Sequence, residues 1–412
     1  MSSSSDTLTA LEGMLSALPA GSNPYLALSS YVASTLKHDL PNHYFIQMYF
    51  LGGSFAVIVL LVILALALQA RTGRFRLVKV EHGALAATEG HSLVLAFGAA
   101  AFVVAIATVF ESVKYQRGEV VMSYVGLRAM MWWPLYVAAF LALHTMAHNY
   151  LSHLRLSSSL SSARAQSLSK HLTALLFLTL VLYFASTAAP DALSVMHFHK
   201  AMDAFKTIMG MLGQGAAAWT EESAFSMDSL ATALPLLATV TSEQAKLIKT
   251  MSVAFAMLSA WAVTFTASIA LVALLHIRAL TASIAAAAAA VPGKEDNNAV
   301  VARLSKTRAV LKRNTGAFVV AICIFIAVAL YASIKTGDAV NKLVPIMAVD
   351  LTLYWFYFLA GLSIALYVLH AELLALQAYR AGACEKEEDG ESSLVGTDGE
   401  EKEKEAAAGE VV

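Results

Sequence analysis

Charge is scarce in this 412-residue chain: Asp, Glu, Lys and Arg make up 14% of it, against 58% hydrophobic residues. That balance excludes a soluble multidomain protein and places the chain among polytopic membrane proteins. Cysteine is nearly absent, with Cys323 inside an apolar run and Cys384 near the C-terminal end. The two fall on different sides or depths of a bilayer, so no structural disulfide is expected. There is no Asn-x-Ser/Thr sequon, and no Walker, Rossmann or Gly-x-Ser-x-Gly pattern in usable context. A nucleotide site, a nucleophile triad and a redox centre therefore have no support, and neither a cofactor nor a nucleic-acid partner is expected. The N-terminus, MSSSSDTLTALEGMLSALPAGS, lacks the basic start and continuous apolar core of a signal peptide. Its first forty-odd residues are expected to cross, or stay, with the first membrane helix.

What the chain does have is long apolar runs. Crossing a hydrocarbon core of about 30 Å takes about 20 residues of helix, and seven runs approach that length: 46–69, 91–111, 130–151, 172–189, 249–276, 316–334 and 348–370. The expected fold is all-α, a polytopic seven-transmembrane-helix bundle. The loops of one side hold Arg71, Arg74, Arg76 and Lys79, then Arg155, Arg164 and Lys170, then Arg278, Lys294, Arg303, Lys306, Arg308, Lys312 and Arg313. That set of fourteen sits in three loops, against ten basic residues spread over longer segments opposite. The positive-inside rule then puts the N-terminus outside and the C-terminus in the cytosol, of a plasma membrane or an endomembrane.

The chain divides accordingly into an outer segment 1–45, a bundle 46–370 and a tail 371–412. NPYLALSSYVASTLKHDL reads as a short amphipathic helix at the outer interface, ended by Pro41. Met131, Trp132, Trp133 and Pro134 open the third span, the tryptophans as headgroup anchors and the proline tolerated in the first turn. The loop LSHLRLSSSLSSARAQSLSK that follows it is a generic phosphorylation substrate. In the outer loop 190–246, Leu193, Met196, Phe198, Met202, Phe205, Met209 and Leu212 recur at helical spacing, and Gly210, Gly213 and Gly215 are expected to end that helix. The loop is expected to fold over the bundle as a lid, with Thr241 and Gln244 as a capping box for the fifth helix.

The hairpin 277–315 carries the densest charge. Its first arm is an alanine-rich stem, Pro292 and Gly293 turn the chain, and Asn297 or Asn298 is expected to cap the return. On the return arm Val300, Val301, Leu304, Ala309, Val310 and Leu311 alternate with Arg303, Lys306, Arg308, Lys312 and Arg313. One face is expected to pack on the stem. The basic face either binds anionic inner-leaflet lipid, docks a cytosolic protein, or only sets topology. The tail from Glu385 to Glu410 has eleven acids against three lysines and no aromatics, and reads as disordered.

Candidate sites are few. Trp261, Tyr331, Asp350 and Trp355 lie at the outer halves of spans five to seven, as the lining of a ligand cavity or as packing aromatics beside an N-cap. If Asp350 is functional, Lys249 or Lys335 at the same level is its expected partner. His144 and His148 stand four apart on one helical face, a spacing that chelates metal, with His153, His171, His276 and His370 also near cytosolic helix ends. The helix dipole alone favours His at the C-terminal ends of spans three, five and seven. Glu111 with Lys114 reads as an interfacial i,i+3 pair.

HDLPNHYFIQMYFLGG, with RTGRFRLV beyond it, resembles uncharacterised seven-helix membrane proteins of basidiomycete fungi, a resemblance that implies the bundle and no activity. The whole arrangement also resembles the plan of G-protein-coupled receptors, without their motifs. The third span ends in His148, Asn149, Tyr150 where rhodopsin-like receptors have Asp/Glu-Arg-Tyr, the sixth lacks a central Trp-x-Pro, and the seventh lacks Asn-Pro-x-x-Tyr. No span-seven lysine is available for retinal. The outside N-terminus and the histidines also resemble the arrangement of seven-helix ceramidases, without the acidic and Ser motif of that family. The expected function is a receptor-like sensor, more a binding protein than an enzyme. The alternatives are a transporter or channel, a metal-dependent intramembrane lipid hydrolase, or a structural role in organising membrane or partners.

Overall fold

The protein is described by a computed structural model covering residues 13–19, 21–36, 40–76, 79–81, 84–86, 92–157, 160–220, 233–289, 295–341, 351–366, 368–370, 372–373 and 376–377. The long elements are helices: α1 Pro24–Leu36, α2 Asn42–Arg71, α3 Ser92–Gln116, α4 Tyr124–Met130, α5 Trp132–Leu156, α6 Ser162–Ala218, α7 Ala233–Ala289 and α8 Glu295–Asn341, followed by α9, Leu351–His370. A short antiparallel ribbon pairs β1 Lys79–Glu81 with β2 Ala84–Ala86. Asp350, the turn residues Pro292 and Gly293, and the acidic tail fall outside the described residues.

Among the described residues six helical segments are long and apolar enough to cross a membrane: α2, α3, the stretch Tyr124–Arg155, α6, α7 and α9. α8 contributes a shorter apolar stretch, Ile322–Lys335. These stretches are helical although rich in Val and Ile, because in hydrocarbon every backbone polar group must be satisfied within its own segment. One continuous core runs through the bundle. In it Phe55 of α2, Phe102 of α3, Trp132 of α5 and Tyr357 of α9 meet edge-on or tilted, with ring centroids 5.0–5.8 Å apart.

Three helices differ from expectation. α6 joins the expected fourth span and the expected separate amphipathic helix into one 57-residue rod that passes through Pro190 and continues to Ala218. Proline removes one backbone donor, and Ser194 one turn on donates its Oγ backward to the Pro190 carbonyl at 2.8 Å. Gly210, Gly213 and Gly215 do not stop the helix. The ring of Tyr25 lies so close to Gly215 that a Cβ there would sit 2.5 Å from it. α7 likewise starts at Ala233, ahead of the expected capping box. Thr241 does not cap it: its hydroxyl donates backward to the carbonyls of Leu237 and Ala238 at 3.2 and 3.0 Å, as threonine does in a helix interior. α8 begins at Glu295, so Asn297 and Asn298 are in its first turn rather than ahead of it.

The 57 residues of α7 make a rod of about 85 Å at 1.5 Å per residue, well beyond a ~30 Å hydrocarbon core. Its pairings with α8 and α6 are the most extensive between helices. With α8 it forms the hairpin end, where Arg308 of the return arm reaches Thr281 of the stem, while Val300 and Ala309 of the expected packing face are exposed. At the opposite end, α1 packs with the far turns of α6 and α7, burying Leu28 and Val32 against Phe205, Ile208, Leu212 and Val240. Asn23 fixes α1 there. Its Oδ1 accepts from the amides of Tyr25 and Leu26, and its Nδ2 donates to the Ala216 carbonyl of α6 at 3.0 Å. The helix expected over NPYLALSSYVASTLKHDL is therefore present as α1.

Candidate functional site

The α1 end holds a polar crossing between α6 and α7 that sequence reasoning did not single out. Glu243 of α7 is buried at 7% exposure and takes both its neighbours at 2.6 Å, His197 Nδ1 of α6 on one oxygen and Lys246 Nζ on the other. Residue 243 precedes the apolar run 249–276, so the cluster lies outside the hydrocarbon-length stretch. The hydrogen bond from Lys246, then that from His197, depresses the Glu243 carboxyl to about 2 from the ordinary 4.5. It is a carboxylate throughout the physiological range. One turn further along, the hydroxyls of Ser194 and Thr250 meet at 3.0 Å, tying the same two helices.

Below this crossing a cavity of about 40 Å³ opens between α4, α5, α6 and α7, lined among others by Arg128, Trp132, Asp191, Ser194, Met251 and Phe255. A space of that size admits a few water molecules and excludes an organic ligand. Its polar lining is held from outside. Trp133 Nε1 donates to Asp191 at 3.0 Å, and Arg128 Nη1 donates to Tyr124 Oη at 2.6 Å with its guanidinium 5.9 Å from that ring. Trp133, read as a headgroup anchor, thus also bridges α5 to α6.

The expected ligand residues are not assembled around this space. Trp261 donates to Ser186 Oγ of α6 at 2.9 Å and meets Phe140 and Tyr183 edge-on. Trp355 points the other way, donating to Gln47 of α2 at 3.2 Å and stacking on Phe50. Tyr331 is exposed on α8. Asp350 lies outside the described residues. Trp261 and Trp355 thus act as packing aromatics between different helix pairs, each with its indole nitrogen satisfied.

The histidines form two pairs near the hairpin end. His144 and His148 have ring centroids 6.3 Å apart, with His144 Nε2 3.4 Å from Thr173 of α6. His153 and His276 bring α5 and α7 together at 5.7 Å, with Ser283 Oγ 3.2 Å from His153 Nε2. Among the described residues no group of three or more His, Cys, Asp or Glu is placed to hold a metal ion.

At the hairpin end, Arg303, Lys306, Lys312 and Arg313 are exposed on α8, and Arg308 is half-buried, its Nη1 3.4 Å from Thr281 of the stem. Arg303, Lys306 and Arg313 fall within about 80° of one another around the helix, whereas Lys312 and Arg308 lie on the other side, Arg308 toward the stem. A second cluster ties down the end of α9. Glu372, 6% exposed, accepts from Gln69 Nε2 at 3.0 Å and pairs with Arg74; Ser92 Oγ donates to Gln69 Oε1 at 2.7 Å and accepts the amide of Arg76 at 3.2 Å. The one signal that marked this cluster was a glutamine in an otherwise apolar run just before a basic loop. Its partner Glu372 is 303 residues away.

Comparison with known proteins adds no assignment: no family model, no curated protein and no solved structure matches the chain. The function rests on the chain's own geometry.

Proposed function

We propose that this is a seven-span, non-enzymatic membrane sensor, receptor-like in plan, with the α1 end outside and the hairpin end in the cytosol. In this reading the stretch Ile322–Lys335 of α8 is part of the remaining span, and the basic loops at the hairpin end face the cytosol by the positive-inside rule. The observation that carries it is α7. One uninterrupted helix holds the Glu243 crossing at one end and the stem of the basic arm at the other. A rod of this kind turns a change at the α6–α7 crossing into a movement of the arm, since packed helices slide as units rather than deform.

The arm meets a cytosolic protein or anionic lipid through Arg303, Lys306, Arg308, Lys312 and Arg313. The cavity beneath the crossing is the hydrated space across which α4, α6 and α7 move relative to one another. Replacing Arg308, Lys312 and Arg313 by neutral residues is expected to leave insertion and folding intact and to remove cytosolic neighbours in proximity labelling. Identical neighbours for mutant and parent would refute the coupling.

A further inference from the structure

The basic residues of α8 face water, and the chain carries a segment of opposite charge. Arg303, Lys306, Lys312 and Arg313 are exposed, with Arg303, Lys306 and Arg313 within about 80° of one another around the helix, and Arg308 is half-buried against Thr281. The segment 385–410 carries eleven acids and three lysines. No other stretch of the chain concentrates acids in this way.

Both belong to the same side of the bundle. Only α8 and α9 separate the arm from the tail, and two successive crossings return the chain to the side it left. Glu372, held by Gln69 and Arg74, fixes the point from which the tail departs at the hairpin end. Residues 372–373 and 376–377 are helical, so the seven residues 378–384 span at most about 25 Å, and the acidic segment itself extends the reach further. The bundle is about 30 Å across at helix spacings of 8–10 Å, so the acids reach the arm. A tether this short holds the tail at an effective concentration on the order of millimolar.

We infer that the acidic segment 385–410 is an intramolecular occupant of the basic face of α8, competing with whatever docks there. The contact consists of exposed ion pairs, each weak alone, so it depends on several acting together and is suppressed by salt. It builds on the reading of the arm as a docking face and adds its regulation: the tail covers the arm until a more highly charged surface displaces it.

The test uses the full-length protein in nanodiscs of zwitterionic lipid, treated with a zero-length carbodiimide that joins lysine to carboxylate. Mass spectrometry is expected to find Lys306 or Lys312 joined to glutamates of 385–410 within one chain, falling several-fold in 0.5 M salt. Lys170, exposed on α6 at the same end, is the comparison and is expected to react far less. Replacing the tail's acids by Gln and Asn is expected to raise the affinity for phosphatidylserine vesicles about threefold to tenfold, as removal of a tethered competitor does. Equal crosslinking to Lys170, or unchanged vesicle affinity after neutralisation, would overturn the inference. Loss of proximity-labelled neighbours on neutralising the arm, with the tail result negative, would overturn the tail contact and leave the docking reading standing.

Discussion

Replacing Glu372 separates two ways in which the end of α9 is held. Glu372 accepts a hydrogen bond from Gln69 Nε2 and pairs with Arg74. Gln69 is fully buried, so Glu372→Ala removes a hydrogen bond from a buried amide, at a cost of about 1–3 kcal/mol. The Arg74 side chain is 29% exposed and turns to water when its partner is lost, so the ion pair adds no more than about 1 kcal/mol. Glu372→Ala is therefore expected to destabilise the protein by about 2–3 kcal/mol. Glu372→Gln keeps an oxygen for Gln69 and gives up only the charge, so its expected cost is below about 1 kcal/mol. Unfolding free energies from steric trapping in bicelles would measure both, with hydrogen exchange of residues 368–373 showing whether the end of α9 loosens. Equal losses for the two variants would mean that the ion pair, and not the buried amide, does the holding. No loss for Glu372→Ala would refute the cluster itself.

Two further perturbations probe the packing and the α6–α7 crossing. A Cβ at Gly361 would collide with the ring of Phe102, already enclosed by Phe55 and Tyr357, so Gly361→Ala is expected to cost about 1–3 kcal/mol by steric trapping and Phe102→Leu to restore most of it. Glu243 has its folded pKa depressed, so the stability it contributes is present above its ordinary 4.5 and is lost as pH falls toward about 2. Acid titration of the folded fraction is expected to show that loss in the parent protein and a flatter profile over this window in Glu243→Gln.

How much of this was legible depended on the range of the interaction. Apolar runs mark α2, α3 and α5 because lipid demands length and hydrophobicity from each segment alone. The basic arm was equally plain, since alternation of Val300, Leu304 and Val310 with Arg303, Lys306 and Arg313 is a local pattern. The fourth span and the helix read after it are one element, α6, which runs through Pro190. Thr241 misled because the same hydroxyl caps a helix start or bonds backward inside one. Glu243 with His197, and Glu372 with Gln69, are pairs between distant segments. Nothing at either position alone distinguishes them from ordinary interfacial charges. Trp261 and Trp355 were assigned to one cavity from their depth, but depth does not state which way a side chain faces.

The central claim is that α7 carries changes from the α6–α7 crossing to the basic arm. It is tested most directly by pulsed electron resonance between spin labels at Lys170→Cys and Arg303→Cys, both exposed at the hairpin end, with Cys323 and Cys384 replaced by serine. Glu243→Ala is then introduced at the far end, and hydrogen exchange verifies that the crossing has loosened. The account predicts that the distance distribution between the labels moves by about 1–2 Å or more, the scale of a helix shift. A loosened crossing with an unchanged distribution would contradict it.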